Sequence, residues 1–165
     1  MRTTTRVSAV VAALLSLGAS AAMAQSASIT ATANVFQAMT ITGARTLDFG
    51  NVFPGVAKSI GVAAATSGRF DLTGQASANL NLTFTLPTNL TSGANNLPIG
   101  SWTGCTNATN TTTGCTSFTP SASATATAFS AAGALFVWVG GTVTPGGAQA
   151  AGTYNGTVTM TGVYF

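Results

Sequence analysis

The side chains able to do chemistry in this chain are few and far apart. Its only carboxylates are Asp48 and Asp71, and it has no histidine and no glutamate. General acid–base catalysis draws on His, Glu and Asp, and metal shells draw on His, Cys and clustered carboxylates. Lys58 and Ser59 are adjacent, as if to form a Ser/Lys nucleophile. Neighbouring strand residues point to opposite faces, so this pair reads as an edge charge beside a turn. Arg69 and Asp71 stand two apart on one strand face, which predicts a solvated ion pair worth ~0–1 kcal/mol. Asp48 lies between Leu47 and Phe49 and should point away from the core, and one carboxylate makes a poor calcium site. These residues predict a protein that is not an enzyme and uses no cofactor or metal.

Cys105 and Cys115 enclose nine residues, 106–114. Two thiolates without His or a second Cys pair cannot complete a tetrahedral zinc shell. The spacing is not that of a C-x-x-C redox pair. Both lie in the part of the chain expected to be exported, where thiols oxidise. A disulfide closing a Thr/Asn-rich loop is the expectation, contributing roughly 2–3 kcal/mol in the loop-entropy account.

Export is read from the first residues. Arg2 and Arg6 precede an apolar run over residues 7–19, and Ala22-Met23-Ala24 fits a cleavage site before Gln25. The run is short for a membrane span of ~20 residues. No Arg-Arg pair is present, which points to general secretion rather than the twin-arginine route. Residues 1–24 are therefore predicted as a signal peptide and 25–165 as a single domain with no membrane span left after cleavage. The periplasm, the cell surface or an extracellular fibre is the expected location.

The formal charge of +3 falls on cleavage. Residues 25–165 carry Arg45, Lys58 and Arg69 against Asp48 and Asp71, a net +1. Three cations, scattered along the sequence, cannot track a phosphate backbone, so no nucleic-acid partner is expected. A surface so poor in charge is weakly protected against association, which suits a protein that assembles.

The elements that must position these residues are strands. Period-2 alternation is common after Gln25 and helical periodicity is nearly absent. Ile29, Ala31, Ala33 and Val35 alternate with Thr30, Thr32 and Asn34, and Met39 and Ile41 continue that face. Leu80, Leu82, Phe84 and Leu86 form the clearest half-buried strand, which Pro87 ends. Residues 88–120 are the least regular. Leu135, Val137 and Val139, interleaved with Phe136 and Trp138, are apolar on both faces, and Gly140-Gly141 is a candidate bulge or bend. Residues 152–165 form the last predicted strand. Many short strands with Gly/Pro turns predict an all-β antiparallel sandwich. Its expected core is Leu47, Phe49, Phe70, Leu72, Leu80, Leu82, Phe84, Leu135, Val137, Val139, Val158 and Met160. Trp102, Phe118, Phe136 and Trp138 could line a recognition surface, but core packing or loop pinning explains them better.

Two segments carry a family resemblance. Ala31-Thr32-Ala33-Asn34-Val35 leads through Met39-Thr40-Ile41 to Leu47-Asp48-Phe49-Gly50. The chain closes on Ala151-Gly152-Thr153-Tyr154, then Val158, Met160 and Tyr164. This L-D-F-G start and A-G-x-Y final strand resemble the spore-coat-U-like pilin domains of archaic chaperone–usher systems. They resemble still more a secreted bacterial family of unknown function with the same start and finish. The Cys pair lies mid-chain, away from the early strand. The resemblance implies an immunoglobulin-like sandwich lacking one strand, filled by a neighbour's N-terminal segment. It also implies a structural subunit of a fibre, pilus or coat, with sister subunits, a periplasmic chaperone and an usher as partners. Ile29, Ala31, Ala33 and Val35 have the alternation such a donor strand needs. The same residues also suit a first strand within their own subunit, and both readings stand.

Two other classes compete. A small outer-membrane β-barrel would fit the terminal Phe165, but Thr157, Thr159, Thr161 and Val163 make a face too polar for lipid. A self-contained secreted binding or adhesion domain would need no assembly.

Overall fold

The computed structural model describes residues 25–165. The predicted signal peptide lies outside the described residues. The chain divides into two units, Met1–Asn34 and Val35–Phe165. The described part of the first, residues 25–34, is exposed and holds no strand.

The second unit is all-β. It contains β1 (Thr40–Arg45), β2 (Lys58–Ile60), β3 (Gly68–Thr73), β4 (Asn79–Thr85) and β5 (Asn89–Ser92). It continues with β6 (Asn95–Asn107), β7 (Thr116–Phe118), β8 (Thr125–Ala128), β9 (Ala134–Val143) and β10 (Thr159–Tyr164). One sheet runs β1-β3-β9-β6-β5, with β2 beside β9 and β7 beside β6; the other runs β10-β4-β8. The pairings between these strands are antiparallel. This is a sandwich of the immunoglobulin-like kind, with open sheet edges rather than a closed barrel.

Alternation fixes the core. Leu80, Leu82 and Phe84 of β4 and Met160 of β10 face Leu72 of β3 and Leu135, Val137 and Val139 of β9, all buried in one cluster. A second buried cluster joins Phe49, Leu97, Ile99 and Val143. Of the expected core, Leu47, Phe70 and Val158 are half-buried and pack at its margins.

Several boundaries differ from the sequence expectation. Residues 29–39 carry no strand, and β1 begins at Thr40. The last strand covers Thr159–Tyr164 rather than all of 152–165; upstream, Asn155 makes one isolated bridge to Thr91. The irregular stretch contains the longest strand, β6, with 13 residues. Its register slips between Gly100 and Thr103, which reverses the phase of alternation and hides the strand from a period-2 reading. β9 runs unbroken through Gly140 and Gly141, and the register shift in its pairing with β6 lies opposite them. A Cβ on Gly140 would collide with the Ile60 carbonyl and the Thr103 hydroxyl, so the position needs glycine for close approach.

Candidate functional site

The chemistry-bearing residues fall into separate places, most of them with structural duties. Lys58 and Ser59 diverge as their alternation requires. The Lys58 ammonium donates to the Asn51 carbonyl at 2.9 Å, while the Ser59 hydroxyl pairs with Thr142 Oγ1 at 2.7 Å. Asp48 is exposed, and its Oδ1 accepts the Gly50 N–H at 2.7 Å. Gly50 has φ of +58°, which favours glycine. The L-D-F-G motif is thus locally braced: Phe49 enters the core while the Asp48 side chain caps the backbone at Gly50. Among the described residues no three His, Cys, Asp or Glu side chains come together as a metal group.

The closing motif is also structural. Tyr154 packs on the second cluster; its hydroxyl donates to the Ala150 carbonyl and accepts from Gln149 Nε2, both at 2.7 Å. Gly152 lies where a Cβ would meet the Ser92 hydroxyl at 2.7 Å. Tyr164 packs near Phe129 and Phe36, with ring centroids 5.9 and 5.1 Å away.

Cys105 and Cys115 are joined, with Cα atoms 5.8 Å apart. Cys105 is fully buried and pairs across the sheet with Trp138. Trp138 alternates with the core residues Val137 and Val139, so it belongs to the outer face, yet it is only 3 % exposed. The aromatic candidates serve packing. Trp102 and Phe118 lie against the core, and Phe136 lies 6.2 Å from Trp138.

One grouping was invisible in the sequence. Arg45 and Arg69 are direct cross-strand partners on β1 and β3, brought opposite by a register shift after Gly43. Both line an open cleft of about 420 Å³ on the outer face, between residues 62–65 and 110–112, with Trp138 also lining it. Arg69 Nε and Nη2 donate to the two Asp71 oxygens at 2.7 and 3.0 Å, and Nη1 donates to Asn110 Oδ1 at 2.8 Å. Arg45 Nε and Nη2 donate to the carbonyl and hydroxyl of Ser67, each at 2.6 Å. Two of the three cations in residues 25–165 therefore converge, correcting the expectation of scattered charge.

The predicted donor residues lie outside the strands. Ile29 is 95 % and Val35 93 % exposed, and Ala31 and Ala33 are also exposed. In the sandwich, β8 and β10 are the edges of the smaller sheet, and neither holds a charged residue or a proline. Val163 and Phe165 at the end of β10 are 59 % and 66 % exposed.

No protein-family model and no curated protein matches this chain. Among the described residues no helix is long and apolar enough to cross a membrane.

Proposed function

We propose that this is a non-enzymatic exported subunit of a surface fibre or coat, joined to its neighbours by β-strand addition. Residues 27–36 of one subunit would pair with the free edge of β10 in the next. The observation that carries this reading is the exposed alternation of Ile29, Ala31, Ala33 and Val35 outside any strand. An apolar alternating segment gains by burying its side chains in a partner's sheet, where ladder hydrogen bonds supply affinity. The β10 edge fits the other half. Natural edge strands are blunted by lysine, proline or inward-pointing charge, and β10 has none of these. Val163 and Phe165 add apolar surface that such an addition would cover.

The pilin-like resemblance of the two chain ends supports the same reading and supplies its expected partners: sister subunits, a periplasmic chaperone and an usher. General secretion to the periplasm and onward to the surface is part of the proposal. The test is Ala33→Asp. An unpaired carboxylate forced into a partner's sheet is strongly unfavourable. Surface polymer should disappear while soluble monomer persists; polymer of normal length would refute donor pairing through this segment. The Arg45/Arg69 cleft favours a second reading, a self-contained secreted binding domain, in which full-length protein stays monomeric.

A further inference from the structure

We infer that the Arg45/Arg69 cleft is a binding site for a carboxylate-bearing saccharide, a uronic acid unit. This inference stands whether or not the chain assembles through residues 27–36.

Like charges placed directly opposite on neighbouring strands repel. In a chain with three cations between residues 25 and 165, the register shift after Gly43 nevertheless sets Arg45 opposite Arg69. Bulges of this kind re-aim side chains and recur beside binding sites. Arg69 is neutralised by a bidentate bond to Asp71, which is not part of the cleft lining. Among the described residues, Arg45 is held by the neutral oxygens of Ser67 and by no carboxylate. Ser67 is fully buried, and its hydroxyl also donates to the Val62 carbonyl at 3.0 Å, so the guanidinium is aimed by a fixed support. The cleft thus carries one uncompensated positive charge on a preorganised group.

Both guanidiniums keep donors that these bonds do not use. Arg45 Nη1 makes none of the bonds above, and Arg69 has five N–H donors for its three bonds. A carboxylate is the planar acceptor that such forks recognise. The rest of the lining suits a hydroxylated ring. Asn110 gives its Oδ1 to Arg69, which leaves its amide N–H groups to donate, with the Thr111 and Thr112 hydroxyls beside it. The opposite wall, Val62 and Ala63 to Ala65, is apolar. The disulfide and the bonds from Asn107 Nδ2 to the Thr111 and Thr113 carbonyls, at 2.8 and 3.2 Å, hold the polar wall in place.

The experiment is a titration of residues 25–165 with D-glucuronate, D-glucose and acetate, followed by NMR of the Arg Nε–H and Asn side-chain amide signals. Glucuronate should saturate with a dissociation constant in about the millimolar range, moving the Arg45, Arg69 and Asn110 signals. Glucose should move none of them, and acetate should bind more weakly than glucuronate. Arg45→Gln should weaken glucuronate about tenfold, as loss of a charged hydrogen-bonding group does. Asn110→Ala, an exposed loop change that leaves the sheet intact, should weaken it several-fold and keeps the test open if Arg45→Gln misfolds. Absence of saturation, equal binding of glucose or acetate, or full affinity in both variants overturns the assignment.

Discussion

The Tyr164 hydroxyl accepts the backbone N–H of Gln75 at 2.8 Å and donates to the Gln37 carbonyl at 3.0 Å. One side chain of the last strand therefore ties together the turn after β3 and the approach to β1. Met39 and Ile41 reach over Gly162 beside it, within about 3.3 Å of where a Cβ would sit. Tyr164→Phe keeps the ring stacking and leaves the Gln75 N–H without its partner. The expected loss is ~1–2 kcal/mol in urea unfolding. Val163→Ala, on the exposed face of the same strand, should change stability by about 0.5 kcal/mol or less. Equal losses would remove the hydroxyl from this role.

Phe84 is 3 % exposed in the larger core cluster, and Thr83 points the other way on β4. Phe84→Ala should cost ~3–5 kcal/mol. Thr83→Ala should cost well under ~1 kcal/mol. The difference in denaturation midpoint checks the assignment of inner and outer faces.

The disulfide closes a loop that lines the same cleft as Trp138. Because Cys105 is fully buried, paired alanines suit the site better than serines, whose hydroxyls would need partners. Cys105→Ala with Cys115→Ala should cost roughly 2–3 kcal/mol while the β-sheet circular dichroism persists. In a Trp102→Phe background, Trp138 should become accessible to acrylamide. Unchanged quenching would show that the loop keeps its place without the bond.

The two edges of the smaller sheet can be told apart by charge. A lysine on an edge strand blocks strand addition. Val163→Lys on β10 should abolish assembly, and Ala126→Lys on β8 should leave it intact, as read by electron microscopy of polymers. The reverse pattern would move the acceptor to β8.

Much of the sandwich was legible because Leu80, Leu82 and Phe84, or Leu135, Val137 and Val139, keep strict alternation through uninterrupted strands. Strand β6 was not. Its slip between Gly100 and Thr103 breaks the phase, and Pro98, Gly100 and Gly104 mimic loop composition. The Cys105–Cys115 pair followed from the expectation of export and from the spacing of the two residues. The meeting of Arg45 and Arg69 could not, because it depends on a bulge after Gly43 that no local pattern marks. The burial of Trp138 on the outer face likewise depends on chain far away in sequence, the loop near Asn110 and residues 62–65. Asp48 and Tyr154 carry the family resemblance in the sequence and no predicted chemistry. Their motifs are conspicuous in sequence, but each side chain braces the local backbone or packs a loop.

Assembly through residues 27–36 is tested by the solution mass of two purified chains, read by light scattering. Residues 25–165 should form species of many subunits. Residues 37–165 should be monomeric and folded, and should bind a synthetic peptide of residues 25–36. A stable monomer of residues 25–165, or a polymer of residues 37–165, would rule out donor pairing through this segment.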